Sequence, residues 1–370
     1  MRSLNIAIIG SRGIPNYYGG FEQMAQYLAV GLLNRGHQVT VYNSHNHPYQ
    51  GKEWHGVKLI HCYDAENAIG TAGQFVYDFN CIMNARKNKY DVILFLGYTS
   101  SSVWGRLFPK NAVIISNMDG MEWKRGKYSK PVQQFLKYAE KLAVKYSQYF
   151  IADSTVIQNY VDSKYNVSSK YIPYGAEIFA NKNEAVLAKY GVSKFEYHML
   201  MARMEPENNI DMILSGFHSS NSEKKFIVIG NINNSYGKLI HEKYHKDERI
   251  LFLGAIYEAE ITNTLRGFCK LYFHGHTVGG TNPSLLEAMA NGSIIVAHDN
   301  EFNRAVLKAD AYYFKTAEDV LKLVVKSNGH KESAMMVENN FVKIEEQYNW
   351  PNIVNMYEGF IIDCYNRSKK

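Results

Sequence analysis

The densest set of groups able to do chemistry lies in the stretch His274–Gly292, HGHTVGGTNPSLLEAMANG. Two histidines, a glycine pair, short polar side chains and a glutamate follow an apolar run, Cys269–Phe273, that reads as a buried strand. Ser284–Ala290 has strong helix propensity, so the local reading is strand, glycine loop, helix. The first turn of a helix leaves backbone N–H groups without partners and carries the positive end of the macrodipole, and a phosphate fits there. Gly279 and Gly280 let backbone approach a ligand, Thr281 and Asn282 are residues of the N-cap type, and Pro283 suits the first helical position. Glu287, one turn further in, can accept hydrogen bonds from vicinal hydroxyls such as those of a ribose. A glycine turn before a helix occurs in many parallel α/β proteins, but no folding reason calls for His274, His276 and Glu287 around it.

A second glycine loop follows the first strand candidate, Asn5–Gly10: Ser11–Glu22 contains Gly19-Gly20, and Gln23–Arg35 then has helical spacing. Loops at the carboxyl ends of parallel strands are where open α/β sheets bind ligands. Gly10-Ser-Arg-Gly13 does not supply GxGxxG, which sets a dehydrogenase aside. A third polar stretch, Asn117–Arg125, puts Asp119, Glu122 and Arg125 at helix-turn spacing after a strand. Surface salt bridging accounts for that trio as well as a polar acceptor site does. No Asp-x-Asp or Walker sequence is present, so no metal is expected. Cys62, Cys81, Cys269 and Cys364 are scattered, without metal-ligand spacing, and read as reduced buried thiols.

These loops need a scaffold, and the apolar runs provide one. Strands are expected at Val39–Tyr42, Val57–His61, Val92–Leu96, Val113–Ser116, Tyr149–Ala152 and Tyr171–Pro173, separated by helix-length segments. After Ile172-Pro-Tyr-Gly-Ala176 the alternation restarts, with His198–Ala202, Phe226–Ile229, Ile250–Leu253, Leu271–Phe273, Ile294–His298 and Tyr312–Phe314. Such alternation predicts an α/β fold of two doubly wound, Rossmann-like parallel-sheet domains, each offering strand-end loops to one cleft. The boundaries are 1–175, 176–345 and a C-terminal segment, 346–370, whose helix folds back on the first domain.

At 370 residues, with 46% apolar, the chain can bury two cores. No apolar run of roughly 18 residues and no signal-peptide pattern is seen, so an intracellular protein that does not span a membrane is expected. Its net charge of +6 is uneven: residues 1–175 hold 19 Lys and Arg against 11 Asp and Glu, the remainder 22 against 24. Lys130, Lys137, Lys141 and Lys145 lie in a helix expected over Pro131–Tyr149, opposite Val132, Phe135, Leu136, Ala139, Leu142 and Ala143. Either a solvated face or a surface for anionic lipid head groups has this pattern; no nucleic acid is expected as a partner.

Five motifs, in order and spread over essentially the whole chain, resemble the family 4 glycosyltransferases of the GT-B type. They are Gly19-Gly20-Phe-Glu22, Asp119-Gly-Met-Glu-Trp-Lys-Arg125, Ile172-Pro-Tyr-Gly175, Ala202-Arg-Met-Glu-Pro-Glu-Asn208 and Gly279-Gly-Thr-Asn-Pro-Ser-Leu-Leu-Glu-Ala-Met289. In particular they resemble a bacterial branch that looks like the rhamnosyltransferases of capsule, O-antigen and cell-wall polysaccharide assembly. The resemblance implies that the second domain binds a nucleotide-sugar donor and the first an acceptor. Arg203 would contact the diphosphate, Glu287 the ribose, and Gly279 and Gly280 with Thr281 and Asn282 would border the donor sugar and phosphate beside His274. Gly19 and Gly20 would cap the other side of the diphosphate. Glu22, Asp119, Glu122, Arg125 and Tyr174 fall to the acceptor side.

Two departures stand out. Asn208, placed in the donor site, occupies a position where many members have lysine, and Gly279 replaces the first glutamate of a Glu-x₇-Glu pair. Losing that glutamate removes a carboxylate expected to touch donor-sugar hydroxyls, which is compatible with an L-6-deoxy sugar presenting its hydroxyls differently and so with dTDP-L-rhamnose; UDP- and GDP-sugars stay open. The resemblance implies a retaining, metal-independent transfer that needs no cofactor beyond its substrates. The donor diphosphate would take the acceptor proton while Arg203 and loop amides hold the leaving group, with Asp119 or Glu122 orienting the acceptor hydroxyl. A lipid-linked saccharide at the inner face of the cytoplasmic membrane is the expected acceptor. A sugar-nucleotide epimerase and a non-catalytic binding protein of the same fold are the competing readings.

Overall fold

The structure, a computed structural model, describes residues 2–326 and 330–369. The chain divides into two compact units: residues up to Lys124, Tyr128–Tyr174 and from Trp350 onward form the first, and Arg125–Lys127 with Gly175–Asn349 form the second. Each is built on its own sheet.

The first sheet comprises β1 (Asn5–Ile9), β2 (Gln38–Ser44), β3 (Glu53–Trp54), β4 (Val57–Cys62), β5 (Val92–Phe95), β6 (Val113–Asn117), β7 (Tyr149–Ala152) and β8 (Ser169–Tyr171), in the order β3-β4-β2-β1-β5-β6-β7-β8. β1 and β5 are almost wholly buried runs, NIAII and VILF, as expected of parallel strands covered on both faces. β3 departs from the expected all-parallel pattern. It is a two-residue antiparallel partner of β4, joined to it through His55 and Gly56, both at positive φ. β8 also lies two residues earlier than expected.

The second sheet comprises β9 (Tyr197–Met201), β10 (Lys225–Ile229), β11 (Ile250–Gly254), β12 (Leu271–His274), β13 (Ile295–His298) and β14 (Tyr312–Phe314), all parallel, in the order β11-β10-β9-β12-β13-β14. Sequence order runs outward from β9 in one direction and from β12 in the other. The β9/β12 pair, with Leu200 beside Phe273, is thus the point where the winding reverses. In the first sheet β1 and β5 hold the corresponding place, with Ile9 beside Phe95.

The C-terminal helix, Trp350–Ser368, belongs to the first unit and buries Ile353, Val354, Tyr357 and Ile361. Its Glu358 accepts from Arg35 at 2.7 Å and faces His37 at 3.1 Å, while Trp350 stacks on Tyr27. The lysine-rich helix runs from Lys130 to Tyr146 and buries Leu136, Ala139, Glu140 and Ala143. Val132 and Phe135 are not on its buried side: with Tyr138 they are exposed beside Lys130, Lys137, Lys141 and Lys145, and Phe135 meets Phe75 edge-on.

Among the described residues no helix is long and apolar enough to cross a membrane.

Candidate active site at the reversal of the second sheet

In a doubly wound sheet, ligands bind beyond the carboxyl ends of the strands where the winding reverses. Here those ends are Met201 of β9 and His274 of β12, and the loops after them hold the residues singled out from the sequence.

The two loops are fastened to each other by backbone atoms. The Glu207 carbonyl accepts from the Thr277 N–H at 3.0 Å and from its hydroxyl at 2.9 Å, and Asn209 Nδ2 donates to the Gly275 carbonyl at 2.7 Å. A Cβ on residue 275 would lie 2.0 Å from the Asn208 carbonyl oxygen, so the approach requires glycine. Asn208, buried, donates from Nδ2 to the Arg203 carbonyl at 2.7 Å, and the Glu205 N–H donates to the same oxygen at 2.8 Å. The Arg203 backbone is thereby held while its side chain stays exposed.

On the second loop His274 and His276 stack, with ring centroids 4.4 Å apart and planes 13° off parallel. His274 is buried with neither ring nitrogen hydrogen-bonded, and burial pushes its pKa down to about 3. His276 is driven well below the usual range, first by burial and then by His274, Arg203 and Arg125. Both rings are therefore neutral at physiological pH, and the positive charge of the site comes from arginine. Asn300 and Asn303 donate to the His276 carbonyl at 2.9 and 3.1 Å and brace the loop from the β13 side.

Gly279 follows at φ +141°, a conformation that L side chains rarely adopt, so a carboxylate-bearing residue would be strained at that place. Gly280 and the buried Thr281 lead into the helix Pro283–Ala290. Asn282 is its N-cap: Oδ1 accepts from the Ser284 N–H at 3.0 Å and its hydroxyl at 2.9 Å. Glu287 lies one turn further, its side chain about a third exposed, 2.6 Å from Arg266.

The remaining candidates precede β9 in the chain. In the first unit, Gly19 is the N-cap of the helix Gly20–Leu33, and buried Glu22 accepts from the Arg12 N–H at 2.8 Å, bracing the loop after β1. Asp119 is half-buried after β6, and Glu122 opens a single helical turn, Glu122–Lys124. Tyr174 is buried, and burial raises its hydroxyl well above the usual range. Arg125 is grouped with the second unit, where its guanidinium lies 3.5 Å from Glu207. Among the described residues no group of three or more His, Cys, Asp or Glu could hold a metal ion.

Residues 184–339, which include the whole of this site, match the family described as glycosyl transferases group 1. The second unit is a group 1 glycosyltransferase domain. Residues 3–177 match a family described as a domain of unknown function, DUF1972. No curated protein matches the sequence.

Solved structures are similar over nearly the whole chain. Sucrose-phosphate synthase from Thermosynechococcus elongatus superposes at a TM-score of 0.80 with 15% identity, covering 99% of this chain and 100% of that one. Anabaena HepE in complex with UDP and glucose gives 0.79 with 16% identity, covering 97% and 100%. The catalytic domain of starch synthase IV from Arabidopsis thaliana, bound to ADP and acarbose, gives 0.71 with 12% identity, covering 99% and 100%. At these identities the likeness concerns the fold, two parallel-sheet α/β domains of the GT-B type.

Within the group 1 domain, one site residue escaped the sequence reading. Arg266, on the helix Ala259–Phe268, is 1% exposed and reaches Glu287 from below. An arginine inside Leu265-Arg-Gly-Phe268, an otherwise apolar turn, is the trace it leaves in the sequence.

Proposed function

We propose that the protein transfers a sugar from a nucleoside diphosphate sugar to a saccharide acceptor, with the donor bound at the β9/β12 reversal of the group 1 domain. One observation carries this reading: two loops far apart in sequence, 203–209 and 274–282, are locked together there and set Arg203, the neutral histidine pair, Gly279–Asn282 and Glu287 around one strand-end position. Arg203 supplies a fork of donors for diphosphate oxygens, and the leaving group's growing charge is what such a cation stabilises. Glu287 supplies an acceptor for the nucleoside's sugar hydroxyls. That the Anabaena protein binds UDP and glucose supports a nucleotide-sugar donor.

Our reading of the donor as dTDP-L-rhamnose rests mostly on the resemblance of the motifs to the rhamnosyltransferase branch; Gly279, at φ +141°, where a carboxylate-bearing residue would be strained, is compatible with it. We further read the transfer as retaining, with the diphosphate oxygen taking the acceptor proton and Asp119 or Glu122 orienting the acceptor. Thermal-shift titration with dTDP-, UDP- and GDP-sugars tests the donor, because a ligand of the native state raises its apparent stability. We expect dTDP-L-rhamnose at 100 times its Kd to add about 2.7 kcal/mol. Stabilisation by a UDP- or GDP-sugar in its place discards rhamnose, and no response to any of them discards the transferase reading.

The exposed Val132, Phe135 and Tyr138 among the lysines of the helix Lys130–Tyr146 favour a lipid-linked acceptor and contact with an anionic membrane surface. Each lysine near such a surface contributes about 1 kcal/mol. Changing Lys130, Lys137, Lys141 and Lys145 to glutamine should abolish co-sedimentation with phosphatidylglycerol vesicles at low salt. Undiminished co-sedimentation of that variant refutes the membrane contact.

A further inference from the structure

The Arg266 guanidinium is among the largest fully buried side chains of the protein. Nη2 lies 2.6 Å from Glu287 Oε2 and 3.1 Å from Met201 Sδ, and Nη1 donates to Asn263 Oδ1 at 3.0 Å. Nε has no hydrogen-bond partner. The surroundings are rigid: Asn291 Nδ2 donates to Asn263 Oδ1 at 3.1 Å and to the Glu287 carbonyl at 2.7 Å, and Ser293 Oγ donates to the Arg266 carbonyl at 2.9 Å. These bonds tie the helix Ala259–Phe268 to the end of the helix Pro283–Ala290.

A cation taken this far out of water is costly unless paired, and an apolar residue of similar volume is often as stable or more so in such a place. Stability alone therefore does not account for arginine here. Its carboxylate partner, unlike Arg266 itself, reaches the surface. The arrangement resembles a post set in the protein interior that holds one carboxylate oxygen, and with it the direction in which the carboxylate faces the strand-end site.

We propose that Arg266 is a positioning residue for donor recognition: it fixes the Glu287 side chain as the acceptor for a hydroxyl of the donor's nucleoside sugar. The proposal rests on the donor-site reading above. An unanchored glutamate side chain has several rotamers, and confining it in the free protein removes an ordering cost from binding.

The test compares dTDP with 2′,3′-dideoxythymidine diphosphate, and UDP with 3′-deoxy-UDP, by calorimetric titration of the full chain. Hydrogen bonds to charged groups are worth about 1.5–3 kcal/mol, so the wild type should prefer the hydroxylated member of the bound pair by roughly ten-fold or more. Arg266→Met should bring that ratio to within about two-fold of unity and leave the Kd of the deoxy member unchanged, a pattern that general loosening of the fold does not give. Glu287→Gln should do the same, and the double variant should add nothing further. Arg266→Lys keeps the charge without the fork and should retain only part of the preference, which keeps the test open if the methionine variant fails to fold. A wild-type ratio in the folded Arg266 variants, with the ratio lost in Glu287→Gln, overturns the role of Arg266 and spares the donor site. A wild-type ratio in Glu287→Gln overturns the donor-site reading and this proposal with it.

Discussion

Arg203→Ala is expected to lower kcat/KM for sugar transfer by roughly 10²–10³-fold, about 2.7–4 kcal/mol of transition-state stabilisation, with little change in unfolding temperature. The separation of effects follows from how the residue is built in. Its carbonyl is held by Asn208 and Glu205, and these bonds do not involve the side chain. The guanidinium itself is exposed, so its removal opens no cavity and strands no buried group. Its value lies in charge delivered beyond β9, next to a pair of histidines that burial keeps neutral. Lysine at 203 should recover part of the rate, since a point charge attracts a diphosphate without matching two of its oxygens. Steady-state kinetics with the donor identified by thermal shift, beside a melting curve of each variant, provide the check. A kcat/KM within about three-fold of wild type would remove Arg203 from the reaction.

Buried parallel strands are continuous apolar runs, so Tyr149–Ala152 and Tyr312–Phe314 were legible to the residue, and Val92–Leu96 to within one. The reversal point was legible only through the loops that use it, because strand order is set by crossovers and leaves no local mark. β3 was missed since two residues form no run, although His55-Gly56 is a turn signal. Val132 and Phe135 were assigned to the buried side of their helix by spacing. Tertiary packing buries Leu136, Ala139 and Ala143 of that face but also turns Glu140 inward and leaves Val132 and Phe135 outside, which hydrophobicity cannot reveal. The same blindness hid Arg266 and Glu140, charged residues in amphipathic helices whose partners are distant in sequence.

Glu140→Ala should strongly destabilise the first unit. The carboxylate is 2% exposed and collects five donors: Lys164 Nζ at 2.8 Å, the Tyr160 and Tyr165 hydroxyls at 2.9 and 2.5 Å, Trp123 Nε1 at 3.2 Å and the Tyr98 hydroxyl at 3.4 Å. Those donors come from the helix Thr155–Tyr165, the turn Glu122–Lys124 and the loop after β5, so one side chain fastens three segments to its own helix. Removing one partner of a buried ion pair costs about 3–5 kcal/mol, because the other charge and the remaining donors stay behind. Lys164 is a third exposed and can turn partly to water, which places the loss toward the lower end of that range. Glu140→Gln keeps the shape and one strong acceptor and should cost about 1–3 kcal/mol. The site consequence is separable from the stability loss. Trp123 lies between Asp119 and Arg125 in the chain, and Lys137 sits 4.4 Å over its ring, so freeing the indole releases the stretch read as the acceptor side. Urea denaturation of the two variants should show the ordered losses, and hydrogen exchange of the amides of residues 119–124 should quicken in Glu140→Gln under conditions where the sheet strands remain protected. In transfer assays the KM for the acceptor should rise in Glu140→Gln while the donor Kd stays at the wild-type value. Unchanged exchange at 119–124 would confine Glu140 to holding its two helices together.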